Sequence, residues 1–463
     1  MDSVEMAEKQ KRFILQDNLW RVMIDLSWPA VIAMVLYGGN SMLDAYFVGK
    51  YVGESGLAGV SLAYPVTQIS TGVGSLIGVG AGAVLSIAIG AKDKKTQRNI
   101  IPGVNILTVI STIIYMIVGL IFSTALVKMM GGAGEELAIG DEYFKITVYG
   151  AIFWIYGLAI NMIIRAEGRM KKAAWMMGIG LLANAVFNYI FIVIMKMGVT
   201  GAAWGTNVGM LVYSLVGIIY LKSGKASFES NPFSFKSDKT TVSDINRLGI
   251  SSFIMTVMTL IQAIVIFNAL AKYGTMADIA FYGVVYRLFQ FFLTPIFGLM
   301  RALQPVIGIN YGAKRYDRVI KSYKIFTVAA MILTIPLWLI TLISPEGVLS
   351  LMLTEQVMDI DKLNALRIYI LIVPVLSSIF MAMTFFPAVD KGKPAAIIGM
   401  VRQFIFYIPA MIFVPKFFGI NSIYYASFVI DVVVVLGTIV MVKKEFNSLN
   451  SRGDIVSNNE VVL

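Results

Sequence analysis

The chain contains about twelve apolar runs that are each long enough to cross a lipid bilayer, and this pattern limits its fold more than any other feature. A membrane-spanning helix needs about 20 mostly apolar residues. The runs lie near 24–46, 57–89, 100–127, 143–164, 174–195, 199–221, 248–271, 278–309, 322–344, 366–388, 396–415 and 421–442. They predict an all-α polytopic membrane protein with twelve transmembrane helices.

The amino-acid composition supports a membrane location and excludes several kinds of enzyme. Of the 463 residues, 58% are hydrophobic and 14% are charged, whereas a soluble domain averages about 45–50% apolar and about 25% charged residues. The chain has no Cys and no His, so it cannot form disulfides, His-ligated metal sites or a Ser-His-Asp triad. It also has no Walker A sequence for ATP. We therefore expect a protein that is not an enzyme and needs no prosthetic cofactor.

Lys and Arg are concentrated in alternate loops, and this distribution predicts the orientation in the membrane. Most of them lie near 92–98, 165–172, 222–247, 314–324 and 391–393. Because cytoplasmic loops of membrane proteins are enriched in Lys and Arg, we expect both termini to be cytoplasmic. This placement explains the net charge of +11 without a nucleic-acid partner. The polar N-terminus does not resemble a cleavable signal. The prediction is a multi-pass monomer, surrounded by lipid, in a prokaryotic cytoplasmic (inner) membrane.

The two halves of the chain match each other at a shift of 222 residues. Lys50-Tyr51 falls on Lys272-Tyr273, and Gly90-Ala91-Lys92 falls on Gly312-Ala313-Lys314. Six spans separate equivalent points, so the halves should share one orientation and be related by an axis along the membrane normal, with a cleft between them. The predicted organisation is an N-terminal segment 1–23, a six-helix bundle 24–221, a cytoplasmic linker 222–245, a second six-helix bundle 246–442 and a cytoplasmic tail 443–463.

Four short stretches carry a resemblance to a known family. They are 43–49 (LDAYFVG), 198–206 (GVTGAAWGT), 295–298 (PIFG) with Gln304-Pro305, and 310–314 (NYGAK). Through them the chain resembles the multidrug and toxic compound extrusion (MATE) family, in particular its prokaryotic DinF-like and MepA-like branch, from about Leu26 to Val442. The resemblance implies two six-helix bundles arranged as a V (the MATE/MOP fold). It also implies export of lipophilic, cationic small molecules in exchange for H⁺ or Na⁺.

Asp44 is the first candidate site residue, because a charged side chain within a membrane span is costly and therefore usually functional. In an apolar cavity its carboxyl group would take up a proton more readily than in water. The resemblance implies that the matching aspartate is central to ion coupling. The alternative is an interfacial carboxylate that caps the end of the first span.

Two asparagines in the fifth span extend the candidate ion-coupling site. Asn184 and Asn188 are four residues apart, hence on one helix face. The family usually has a second aspartate at the position of Asn188, and an amide offers oxygen to a cation but cannot titrate. This favours H⁺ coupling, although Na⁺ held by Asp44, Asn184, Asn188 and Thr206 stays possible. The resemblance also implies that Tyr143 points into this pocket. The alternative role for these polar residues is interhelical hydrogen bonding.

Pro29 lies fifteen residues before Asp44. A proline within a helix removes a backbone hydrogen bond and permits a kink. The resemblance implies that Pro29 marks a hinge where the first helix bends when the aspartate is protonated. The alternative is an ordinary proline in the first turn of a helix.

The second half contains its own intramembrane polar residues. Asp431 is expected near the middle of the last span, and Arg287 lies in the eighth, where the two charges could pair and lower their burial cost. Together with Gln262 and Gln290 they are candidates for the substrate cavity. Arg301, deeper in the eighth span, has no assigned role beyond exposure to a cytoplasmic cleft.

Two other functions compete with multidrug export. A flippase of lipid-linked oligosaccharide, from the same superfamily, would use a cation cluster for a diphosphate, for which Arg287 and Arg301 are candidates, but the deep carboxylates argue against it. A membrane-embedded prenyltransferase would need paired carboxylates for Mg²⁺. Asp359 and Asp361 form a close acidic pair, but they are predicted to lie on the outer face.

Overall fold

The computed structural model describes residues 3–350 and 359–461. In this part of the chain all regular structure is helical. The helices are α1 (Ser3–Gln16), α2 (Leu19–Tyr51), α3 (Glu54–Ala91), α4 (Lys94–Met129), α5 (Gly134–Tyr149), α6 (Ala151–Ala166), α7 (Met170–Asn188), α8 (Gly198–Lys222), α9 (Lys239–Tyr273), α10 (Met276–Gly312), α11 (Tyr316–Ile343), α12 (Pro345–Leu349), α13 (Ile360–Leu371), α14 (Val373–Ala388), α15 (Gly392–Met400), α16 (Ile408–Phe418) and α17 (Ser422–Val461). Two π-helical segments, Tyr189–Ile194 and Val401–Tyr407, continue α7 and α15.

The prediction of twelve spans is confirmed, with one span bent. Eleven spans in the described residues are long and apolar enough to cross a membrane. The helix pair α5 and α6, which meets at Gly150 with a bend of 57°, forms a twelfth. Spans α2 to α8 form the first lobe and α9 to α17 the second, on either side of a V-shaped cleft. The predicted all-α fold with two six-helix bundles is therefore correct.

The helix ends follow from local sequence, and the internal repeat reappears in the backbone. Asp93 and Asp238 cap α4 and α9 by accepting backbone N–H groups of Thr96 and Thr241 at 3.1 and 2.8 Å. Such side chains satisfy donors that the first helical turn leaves free. Lys92 and Lys314, which the sequence repeat pairs, end α3 and α10 with left-handed φ values of 59° and 57°.

Glycines allow the two lobes to pack closely at the end of the molecule where the linker 223–238 lies, hereafter the linker side. A Cβ atom on Gly90 would overlap the carbonyl oxygen of Ile309, and one on Gly312 would overlap that of Ile87. These two contacts are equivalent under the 222-residue repeat. Farther toward the middle of the spans, a Cβ on Gly249 would overlap the carbonyl oxygen of Leu76. Small residues permit such close helix approach in membranes.

Segments outside the spans pack against the linker side. The side-chain amide of Asn105 donates to the linker carbonyls of Pro232 and Ser234 at 3.0 and 2.8 Å. Helix α1 contacts both lobes. Lys11 donates to the carbonyl of Ile89 in the first lobe at 2.8 Å, and Arg318 of the second lobe donates to the carbonyl of Ile14 at 2.9 Å. The lobes are therefore connected on this side by both helix packing and polar contacts.

Candidate functional site

A small polar pocket of about 80 Å³ lies inside the first lobe. Helices α2, α3, α4, α5, α6, α7 and α8 contribute to its wall. Its lining residues are Tyr37, Asn40, Ser41, Asp44, Tyr64, Thr67, Gln68, Ser70, Tyr115, Tyr143, Thr147, Gly150, Trp154, Leu181, Asn184, Thr206, Asn207 and Met210. Asp44 is the one acidic residue among them.

The carboxylate of Asp44 is held by two side-chain amides. The Nδ2 of Asn188 donates to its Oδ1 at 2.5 Å, and the Nδ2 of Asn40 donates to its Oδ2 at 3.4 Å. Asp44 lies within α2, seven residues before that helix ends at Tyr51. It is half-buried, whereas Asn188 is 1% exposed. Asp44 is thus a pocket residue in contact with buried amides rather than a cap on the end of its helix.

A chain of hydrogen bonds links the remaining candidates. Asn40 also donates to the Oδ1 of Asn184 at 2.9 Å, and the Nδ2 of Asn184 donates to the Oγ1 of Thr206 at 3.4 Å. Tyr143 lines the same pocket as Asn184 and Thr206. The structure therefore brings together Asp44, Asn184, Asn188, Thr206 and Tyr143. Their role in ion coupling remains a prediction.

Two glycines on α8 make room for the asparagines of α7. A Cβ atom on Gly205 would overlap the Oδ1 of Asn188, and one on Gly209 would lie 2.6 Å from the Cβ of Asn184. Both distances are too short for any side chain. The positions of Asn184 and Asn188 therefore depend on Gly205 and Gly209, which have no side chains of their own.

The backbone changes from α-helical to π-helical directly after Asn188. The π-helical segment Tyr189–Ile194 follows in the same span. Single π-helical turns inside α-helices often occur at functional sites. The corresponding span of the second lobe also contains a π-helical segment at a different position, Val401–Tyr407, which includes Arg402 and Gln403 of that lobe's cavity.

The oxygen atoms around Asp44 are the groups that a cation would need. The Oδ1 of Asn188 is buried and has no hydrogen-bond partner. Carboxylate, amide and hydroxyl oxygens are all suitable ligands for a hard cation. Among the described residues no group of three or more Asp, Glu, His or Cys side chains converges on a metal position. The donor set fits a proton or a weakly bound monovalent cation.

Pro29 lies inside α2, and the alternative of a proline in the first helical turn is wrong. The helix begins at Leu19, ten residues earlier. Pro29 is buried, and two residues later Val31 packs against Gly298 of α10, where a Cβ would lie 2.5 Å from a side-chain carbon of Val31. The proline therefore lies where α2 contacts the other lobe. Its role as a hinge remains a prediction.

A larger and more apolar cavity of about 240 Å³ lies in the second lobe. Asp431, Gln262 and Gln290 line it, as do Arg402 and several aromatic side chains. Gln403 donates to the Oε1 of Gln262 at 2.5 Å, and Gln290 donates to the hydroxyl of Tyr286 at 2.7 Å. The predicted cavity residues on α9, α10 and α17 are thus close together.

The expected pair between Asp431 and Arg287 is wrong. Asp431, which is 2% exposed, accepts a hydrogen bond at 2.8 Å from the Nε of Arg402. Arg287 is exposed and does not line the cavity. The reason is helical geometry, because one face of α10 carries Tyr286 and Gln290 inward while the adjacent position points away.

Sequence reasoning missed three parts of these sites. Asn40, one turn before Asp44, carries the two bonds that join Asp44 to Asn184. Arg402 interrupts an apolar span and was therefore detectable by the rule that identified Asp44. The need for Gly205 and Gly209 arises only from packing between helices, and an apolar, glycine-containing span gives no specific signal for it.

Both lobes also match known proteins in sequence. The sequence profile described as MatE matches residues 29–190 and 249–413, one match in each lobe. The chain belongs to the MatE family. One relative of the chain is the multidrug export protein MepA of Staphylococcus aureus (strain MSSA476). The two sequences are 28% identical over 449 residues, which is 94% of this chain and 96% of MepA.

Solved structures show the same MatE fold. A MATE protein crystallised in the bent conformation has a TM-score of 0.89 at 22% identity, covering 96% of this chain and 99% of that one. An outward-facing multidrug resistance MATE transporter of the MOP superfamily has a TM-score of 0.87 at 22% identity, covering 94% and 98%. This MatE chain is accordingly a multi-pass membrane protein.

Proposed function

We propose that this MatE protein is a secondary active multidrug exporter that extrudes amphiphilic organic cations in antiport with H⁺. The observation that carries the proposal is the single carboxylate, Asp44, held by amides in a pocket within the first lobe. The similarity to MepA, a multidrug export protein, along nearly the whole chain supports the substrate class.

Asp44 is the proposed exchange point between proton and substrate. As a carboxylate it accepts the N–H groups of Asn188 and Asn40 and attracts a cationic substrate. Protonation removes the negative charge, which weakens both interactions. Proton entry would therefore release the substrate, and the adjustment of α2 around Pro29 would follow.

The proposed orientation fixes which side of the membrane the cleft faces, and the inward proton gradient then drives the substrate outward. With both termini in the cytoplasm, the linker side with its packed glycines is cytoplasmic, and the cleft faces outward. Exchange of one proton for one monovalent cation at Asp44 moves no net charge, so the pH gradient drives it. One pH unit supplies about 1.4 kcal/mol, enough for roughly tenfold accumulation. The protein would carry out this exchange as a monomer in a prokaryotic cytoplasmic membrane.

Proton coupling is preferred to sodium coupling because the position that would supply a second carboxylate is Asn188. The flippase alternative loses support because Arg287 is exposed and outside the second-lobe cavity.

The deciding experiment is dye transport in proteoliposomes with a pH gradient and a sodium gradient imposed separately. We expect an ethidium-like dye to move with the pH gradient alone. Asp44→Asn should abolish uphill movement, because an amide cannot exchange a proton. Asp25→Asn, on the same helix but in an exposed ion pair with Lys171, is the matched control. Transport driven by sodium alone, or unchanged in Asp44→Asn, would contradict the proposal.

A further inference from the structure

Two arginines on the linker side belong to opposite lobes, on helices α6 and α10, which contact each other at the lobe interface. Arg165 lies at the end of α6 in the first lobe and is 2% exposed. Arg301 lies on α10 of the second lobe. It is partly exposed, but its Nε is fully shielded from solvent. Both carry a positive charge, so their mutual interaction is repulsive. Gly82, between Ala166 and Gln304, lies where the helices that carry them approach.

Neither arginine has an acidic partner among the described residues. The ion pairs of 3–350 and 359–461 include neither side chain. Arg165 uses its Nε to donate to Asn161 at 2.7 Å, which leaves its buried Nη1 without an acceptor. The Nε of Arg301 is also without one. By contrast, the buried Arg402 has Asp431 as its counter-ion.

A third hydrogen-bond donor without an acceptor lies in the same region. The buried hydroxyl of Tyr213, on α8, has no hydrogen-bond partner and lies within electrostatic range of both arginines. Its ring packs against Gly157, two helical turns before Arg165 on α6. Tyr37, which lines the first-lobe pocket, is also within electrostatic range of Arg301. The cluster therefore lies next to the pocket that contains Asp44.

Shielded hydrogen-bond donors without acceptors are unfavourable, and an anion at this position would accept from all three. A buried charge without a partner costs far more than a paired one, and two like charges add repulsion. All three free groups are hydrogen-bond donors, and guanidinium donors bind anions strongly. We propose that Arg165, Arg301 and Tyr213 form a binding site for a compact inorganic anion such as chloride or phosphate.

The site has a consequence for the conformation of the protein. Arg165 and Tyr213 belong to the first lobe and Arg301 to the second, so a bound anion neutralises repulsion across the interface. It stabilises the arrangement in which the lobes pack at the linker side. Separation of the lobes there would divide the site.

The test is equilibrium binding of radiolabelled chloride and of radiolabelled inorganic phosphate to the full-length protein in detergent. Sodium concentration and ionic strength are held constant with gluconate, and the melting temperature is followed in parallel. We expect saturable binding of one of the two anions, accompanied by a higher melting temperature. The anion that binds identifies which of the two occupies the site.

Variants separate this site from general effects of salt. Arg301→Gln should weaken binding by roughly tenfold or more, because a charged hydrogen bond is lost. Tyr213→Phe should weaken it by less, with the fold intact. Arg98→Gln, which alters an exposed arginine, should bind as the original protein does. No saturable binding of either anion, or binding and stabilisation that persist in a folded Arg301→Gln, would overturn the proposal.

Discussion

At the scale of single residues, the candidate coupling site depends on apolar positions as much as on polar ones. Asp44 has its hydrogen-bond partners only because Asn188 and Asn184 fit against α8 at two glycines. Protein interiors are close-packed, so even one added methyl group forces a neighbour to move. The most informative substitutions are therefore next to the polar cluster rather than within it.

Gly205→Ala should impair transport without removing any polar group. The new methyl group would occupy the position of the Asn188 Oδ1 and weaken its bond to Asp44. Overpacking of this kind costs typically about 1–3 kcal/mol. Dye efflux and the melting temperature measure both effects. Gly178→Ala, on α7 with no atom within 4 Å of the added carbon, should behave like the original protein, and equal activity in the two variants would contradict the expectation.

At the scale of helices, four of the long spans (α2, α4, α9 and α10) begin at side-chain caps. The start of α9 connects the linker to the second lobe. Asp238 accepts the N–H of Thr241 and also a hydrogen bond from Asn99 of α4 at 3.3 Å. The Thr241 hydroxyl and N–H hold the pKa of Asp238 below its usual value, because both donate to the charged form. Its contribution to stability is therefore present above the unfolded pKa and is lost as pH falls through the folded pKa.

Asp238→Ala should destabilise this helix start by about 1 kcal/mol, the usual value of an N-cap. Asp238→Asn keeps a capping oxygen and should retain most of the stability. The difference between their melting temperatures isolates the cap from other effects of substitution. A second comparison is between the original protein and Asp238→Asn. The difference between their melting temperatures should become smaller under acidic conditions, because protonation of Asp238 removes the advantage of the carboxylate.

At the scale of the whole molecule, the packed linker side defines one conformation, and alternating access requires that this packing open. Helices α3 and α9 cross between the lobes near their midpoints. A Cβ on Gly72 would lie 3.0 Å from the Cβ of Thr256. Disulfides have Cβ separations of about 3.5–4.5 Å, so a small adjustment would allow a bridge. The absence of native Cys provides a clean background for this design.

The double variant Gly72→Cys with Thr256→Cys should form a disulfide on oxidation and stop dye transport. A reductant should restore transport, because the bridge holds the two lobes in one arrangement. Each single Cys variant controls for the substitution itself. Full transport in a verified cross-linked protein would show that the lobes need not separate at this crossing.

The sequence by itself determined the twelve spans, the duplicated halves and the location of Asp44 in the first span and of Asn184 and Asn188 on one face of the fifth. These features depend on local apolar length, helical periodicity and the 222-residue repeat, all of which are readable along the chain. Only the tertiary structure decided that Asp431 pairs with Arg402 rather than Arg287, that Asn40 joins Asp44 to Asn184, and that the helices of Arg165 and Arg301 contact each other across the lobe interface. Such pairings depend on how helices rotate and pack against one another, and residues distant along the chain acquire neighbours only when that packing is complete.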